Sequence, residues 1–67
     1  MNLKIKIANR MDRLQEMMET NLHLTCPEDV EMHIESISKF WSALSEEDQD
    51  YIEGARYAIE NKMEWKL

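Results

Sequence analysis

Glycine, proline and cysteine each occur only once in this chain of 67 residues. With so few turn-forming residues, long runs of strong helix formers remain between the turns, which predicts an all-α fold. The single cysteine, Cys26, excludes a disulfide within the chain and is typical of a reducing compartment. No apolar run is long enough for a signal peptide or a membrane span, so we expect a cytoplasmic protein without a membrane partner.

Basic residues are also scarce, because eight Lys and Arg oppose fourteen Asp and Glu, for a net charge of −6. The imbalance is concentrated in residues 15–54, where eleven acids against Lys39 give −10. A field of this sign repels phosphate backbones, so nucleic acid is not an expected partner. The same segment leaves open an acidic decoy that imitates DNA and binds a DNA-binding protein.

Apolar spacing predicts three helices, near residues 3–22, 27–43 and 46–64. We expect a three-helix bundle, or a helical hairpin with a third helix, as a single domain over 1–67 with the second helix at its centre. The alternating "LKIKI" near the start is assigned to helix because a lone strand would have no pairing partner. The predicted buried stripes are Ile7, Met11, Leu14 and Met18, then Val30, Ile34, Ile37, Trp41 and Leu44, then Ile52, Ala55, Ile59 and Met63.

Two helix starts carry capping signals. In "TCPED", Thr25 and Glu28 have the spacing of a capping box, and Pro27 suits a first helical turn. In "SEEDQD", Ser45 is the predicted N-cap, and the acids that follow it lie where the helix dipole favours negative charge. Gly54 interrupts the third helix at a cost of about 1 kcal/mol relative to Ala, which suggests that another part of the chain approaches closely there.

Residues 39–65, "KFWSALSEEDQDYIEGARYAIENKMEW", contain W-x-x-L-S-E-E-D, Y-I and A-x-x-A-I-E-x-K-x-E-W elements. This stretch resembles the ends of small uncharacterised proteins of marine bacteriophages, particularly the T4-like phages of cyanobacteria. The resemblance implies a phage or marine-microbial setting and assigns no residue a role.

One acidic pattern is a candidate for metal chemistry. Glu16 and Glu19 on the first helix, with Glu47 and Asp50 on the third, resemble the E-x-x-E and E-x-x-D pattern of the all-α nucleotide pyrophosphohydrolases, in which facing helices bind magnesium. Magnesium prefers oxygen ligands, and substrate phosphates can complete its shell. In a chain with fourteen acids such pairs also arise by chance, and acids in a first helical turn need no metal to explain them. The magnesium-dependent enzyme is therefore the alternative hypothesis.

His23, Cys26 and His33 are the chain's only histidine and cysteine residues, the types that zinc sites use most. A structural zinc site takes four ligands at closely paired spacings, so this set predicts a surface histidine beside a carboxylate, with His33 one turn after Asp29, rather than a zinc site. We therefore assign no metal, cofactor or catalytic residue.

A basic stripe on the first helix consists of Lys6, Arg10 and Arg13. We expect it to pair with acids of the second helix, such as Glu31 or Glu35, or with a partner chain.

The chain has more aromatic and methionine side chains than the core of so small a domain is expected to bury. Met17 lies beside Met18, and Met32 lies opposite the second stripe, so these methionines are also hard to bury together. Flexible methionine side chains suit adaptable binding surfaces. The alternatives are a satisfied core and a surface for self-association or for a partner. The candidate partner-binding residues are Phe40, Trp41, Tyr51, Tyr57 and Trp65.

These patterns favour a small non-enzymatic interaction or regulatory protein that binds a protein partner or forms a homodimer through its helical faces. The resemblance implies that a phage encodes it, with a host or phage protein as the partner.

Overall fold

The computed structural model describes residues 2–65, and in this part of the chain the regular structure is entirely helical. The all-α class is thereby confirmed. The helices are α1 (Leu3–Glu19), α2 (Leu22–Thr25), α3 (Pro27–Ser38) and α4 (Glu46–Glu60), with a 3-10 helix at Trp41–Ala43.

The first predicted helix ends earlier than expected. Asn2 caps α1, its side-chain Oδ1 accepting the Lys4 amide at 2.9 Å, and the helix closes at Glu19 rather than at residue 22. Asn21 then adopts a left-handed backbone with a φ of 56°. Asparagine tolerates this conformation better than most residues, so the chain turns here and α2 follows as a separate short helix.

The second predicted helix begins at Pro27 as expected, but the predicted capping box is wrong. Cys26 occupies the N-cap position without a side-chain hydrogen bond, and the Thr25 hydroxyl donates back to the Leu22 carbonyl at 3.2 Å. Thr25 lies one position too early to cap α3, since it is the last residue of α2.

The same helix ends at Ser38, five residues before the predicted boundary at 43. Beyond it the chain tightens into i→i+3 hydrogen bonds, including Ala43 N–H to the Phe40 carbonyl at 2.8 Å. A 3-10 turn changes the angular phase of the side chains, so Trp41 leaves the core stripe and is 36% exposed, which contradicts its predicted burial. Leu44 is buried from the connecting segment instead.

The third predicted helix starts as expected, with the Ser45 hydroxyl accepting the Asp48 amide at 3.2 Å. It ends at Glu60 rather than at 64, because Lys62 has a φ of 53° and Met63 N–H donates back to the Ala58 carbonyl at 2.9 Å. This six-to-one bond after a left-handed residue is a Schellman motif. Met63 is consequently 46% exposed and not part of the core stripe.

The core lies around α3, which contacts α1, α2 and α4 and so has the central place predicted for it. Met18 is buried as its stripe predicted, and Met17 beside it is also buried, although the sequence suggested that so small a chain would not easily bury both. The helix that carries them, α1, contacts both α2 and α3. The stripe residues confirmed as buried are Ile7, Met11, Leu14, Met18, Val30, Ile34, Ile37, Ile52, Ala55 and Ile59.

Candidate functional site

Phe40, a candidate partner-binding residue, is used within the fold. Its half-buried ring lies 5.2 Å from Lys6 Nζ and 5.8 Å from Arg10 Cζ, measured to the ring centroid. Each such cation–π contact contributes about 0.5 to 1 kcal/mol when solvent is near. The basic stripe therefore holds an aromatic ring against α1 rather than pairing with Glu31 or Glu35 as predicted.

The third basic residue, Arg13, pairs with Glu16 on its own helix at 3.5 Å, and this is the only ion pair among residues 2–65. Both side chains are more than half exposed, so the pair adds little stability.

Tyr51 and Trp65 are also used internally. Residues 61–65, which we call the C-terminal strap, fold back so that the Trp65 ring packs on Tyr51 at a centroid distance of 5.0 Å and a tilt of 52°. The Trp65 amide donates to Asn21 Oδ1 at 2.9 Å. Burial, and secondarily the charge of Glu19, raises the pKa of the Tyr51 hydroxyl above its ordinary value.

Both histidines serve the fold, and neither lies at the surface beside a carboxylate as predicted. His23 is 2% exposed, and its Nε2 donates to the Met63 carbonyl at 2.6 Å, which fixes the C-terminal strap to α2. His33 is half-buried, and its Nε2 donates to the Arg10 carbonyl at 2.8 Å, which joins α3 to α1. A carbonyl only accepts hydrogen bonds, so Nε2 carries the proton in both rings.

The four carboxylates of the magnesium hypothesis, Glu16, Glu19, Glu47 and Asp50, are all exposed. In the part of the chain that the structure describes, no group of three or more His, Cys, Asp or Glu residues is arranged to hold a metal ion. The four acids are thus not gathered into one site, and the zinc candidates are not gathered either.

A groove lies where α3 and α4 meet. A groove of about 280 Å³ runs between these helices, and its lining consists of Glu31, Ile34, Glu35, Arg56, Ile59 and Glu60. The two isoleucines form its floor and belong to the core, whereas the charged residues stand in its walls. The guanidinium of Arg56 donates to the Ser38 hydroxyl at 3.0 Å.

Met32 on α3 and Tyr57 on α4 are the most exposed large hydrophobic residues described, at 68% and 62%, and neither lines the groove. Each directly follows a wall residue, Glu31 or Arg56, and so points about 100° further round its helix. We call the groove residues together with Met32 and Tyr57 the α3–α4 face.

Sequence reasoning singled out Tyr57 and Met32 but did not identify the groove. A signal is present in the chain, since "EMHIE" at 31–35 and "RYAIE" at 56–60 repeat the order charged, large apolar, any, Ile, Glu. The repeat places matching residues of two helices on the two walls of the groove. Only the packing of α3 on α4 shows that the two occurrences of this five-residue pattern face each other.

None of the helices in residues 2–65 has the length and apolar character that crossing a membrane requires. No family model, curated protein or solved structure matches this chain.

Proposed function

We propose that this chain is a small non-enzymatic interaction protein that binds a protein partner through the α3–α4 face. The observation that supports this most directly is the exposure of Met32 on α3 and of Tyr57 on α4. Contiguous exposed apolar patches bordered by polar residues are typical of protein interaction sites. Tyrosine is enriched among the residues that dominate binding energy, and methionine adapts to irregular partners.

The positions of the other aromatic residues reduce the number of candidate partner-binding residues. Phe40, Tyr51 and Trp65 are half-buried against the chain itself, so they contribute to folding more than to binding. Trp41, at 36% exposure in the connection before α4, is the remaining candidate that a partner can reach together with Tyr57.

The resemblance of residues 39–65 to small phage proteins supports a regulatory protein encoded by a phage, with a host or phage protein as its partner. Homodimer formation belongs to the same proposal, with a second copy as the partner. The internal use of Phe40, Met17 and Met18 removes part of the excess apolar surface that first suggested a dimer.

The proposal is tested by affinity capture from an extract of the cells in which the chain is expressed. We expect a partner that is retained by the wild type and lost by a Met32→Ala/Tyr57→Ala double variant. The matched control is Leu24→Ala/Met63→Ala, which removes two exposed apolar side chains at 40% and 46% exposure from elsewhere on the surface. Circular dichroism checks that both variants keep their helices.

Loss of the partner in the first variant alone supports the α3–α4 face as the binding surface. Equal retention by the two variants, or capture of nothing by the wild type, contradicts the proposal.

A further inference from the structure

We infer that two copies of this chain form a dimer by exchanging their C-terminal straps, so that Trp65 of each copy packs on Tyr51 of the other. This inference goes beyond the proposed function, because it uses a different part of the surface and does not depend on the α3–α4 face. The residues that receive the strap are Asn21, His23, Tyr51 and Gly54, which we call the strap clamp.

The strap clamp holds the strap by its main chain. Asn21 Oδ1 accepts the Trp65 N–H at 2.9 Å, and His23 Nε2 donates to the Met63 carbonyl at 2.6 Å. Residues 63–65 have no regular secondary structure, so these two side chains supply hydrogen bonds that a helix or a sheet would otherwise provide. His23 is 2% exposed and is therefore part of the protein interior. The clamp thus binds backbone groups that any peptide segment carries.

Trp65 supplies the selectivity. Its ring packs on Tyr51 at a centroid distance of 5.0 Å and covers Gly54, where an added Cβ would lie 3.5 Å from the indole. The two residues before Trp65 are exposed, so their side chains contribute less than the indole. An occupant of the clamp therefore needs a tryptophan two residues after the carbonyl that binds the histidine. A second copy of this chain carries that segment in its residues 63–65.

The turn that joins the strap to α4 has an unfavourable backbone. Lys62 has a φ of 53°, a left-handed conformation that lysine rarely adopts. Straightening the turn relieves this strain, although it gives up the hydrogen bond from Met63 N–H to the Ala58 carbonyl. The two side chains that bond to the strap precede it by 40 and 44 residues. The same contacts can therefore form with the strap of another copy, which is the basis of domain swapping.

Concentration and charge set the balance between monomer and dimer. The closed monomer prevails at low concentration, because the strap and clamp of one chain meet at an effective concentration on the order of millimolar. When extended, residues 61–65 span at most about 17 Å, so two copies must meet with the C-terminal ends of their α4 helices facing each other. Each copy has a net charge of −6, which opposes this approach. Added salt should therefore promote the dimer.

The first test compares two variants of the full chain at the turn. Lys62→Val makes the left-handed conformation more costly, because a β-branched residue is strongly disfavoured there, whereas Lys62→Gly removes the cost. The two variants lose the same positive charge. Two turns open in each dimer, and each should change the dissociation constant about tenfold. Sedimentation equilibrium should therefore give a dimer dissociation constant about a hundredfold lower for Lys62→Val than for Lys62→Gly.

A second test shows whether the association uses the clamp. Adding Trp65→Ala to Lys62→Val should abolish the dimer, while circular dichroism checks that the helices remain. A peptide of residues 61–65 should then bind the Trp65→Ala chain and shift the nuclear magnetic resonance signals of the His23 ring. The same peptide with Ala in place of Trp should not, and the wild type should bind the Trp peptide more weakly because its own strap competes.

Equal dissociation constants for Lys62→Val and Lys62→Gly overturn the inference, as does a Lys62→Val chain that stays monomeric, because the turn would then not control association. A dimer that survives Trp65→Ala overturns it too, since the copies would then associate through another surface. Failure of the Trp peptide to shift the His23 signals has the same consequence. None of these results bears on the capture experiment, which tests the α3–α4 face separately.

Discussion

Replacing Gly54 with alanine should stabilise the fold by about 1 kcal/mol. Gly54 lies in the middle of α4, where glycine costs about that much relative to alanine because it loses more backbone freedom on folding. The structure leaves room for the change. An added Cβ would lie 3.5 Å from Cη2 and 3.8 Å from Cζ3 of Trp65, which are ordinary van der Waals distances. Gly54 also has no positive φ that would disfavour a side chain.

Thermal unfolding followed by circular dichroism measures the effect. A gain of about 1 kcal/mol should raise the Tm by roughly 4–8 °C in a domain of this size. The matched control is Gly54→Val, which adds methyl groups beyond the β-carbon and directs them toward the indole of Trp65. We expect Gly54→Val to be less stable than Gly54→Ala by about 1 kcal/mol or more, because of this contact and the lower helix propensity of a β-branched residue.

A lower Tm for Gly54→Ala than for the wild type would refute the reasoning. It would mean that Trp65 packs too closely on α4 for a β-carbon, so that the close approach suggested by the sequence requires glycine. Equal stability of the Ala and Val variants would instead show that Trp65 does not cover Gly54 in solution.

Three further outcomes are expected. Tyr51→Phe should leave the free energy of unfolding at pH 7 unchanged or raise it by up to about 1 kcal/mol, because the buried hydroxyl has no hydrogen-bond partner among residues 2–65; a clear loss in urea unfolding would contradict this. The raised pKa of Tyr51 means that the folded state holds the proton more tightly, so the wild type should lose stability as the pH rises above 10.0, and Tyr51→Phe should lose less. Ser45→Ala should cost about 1 kcal/mol through loss of the cap on α4, whereas Ala at the exposed Ser42 should cost little, and similar unfolding midpoints would argue against the cap. Light scattering at high micromolar concentration should give twice the chain mass if the homodimer forms, and a monomer would count against self-association.

Local patterns in the sequence determined which segments are helical and which faces they bury. The i, i+3, i+4 spacing of apolar residues predicted the buried side of α1, α3 and α4, because a helix places such residues on one face whatever it packs against. Ser45 and Pro27 marked helix starts correctly because capping and first-turn preferences depend on hydrogen bonds within a few residues. The scarcity of glycine and proline was enough to predict the all-α class.

The tertiary structure decided where the helices end and which polar side chains form long-range hydrogen bonds. His23 bonds to Met63, 40 residues away, and Asn21 bonds to Trp65, 44 residues away. Contacts of that range depend on how helices pack, and no spacing pattern within a single helix reports them. The same limit applies to the groove, because Glu31 and Arg56 line one groove only after α3 and α4 are placed side by side.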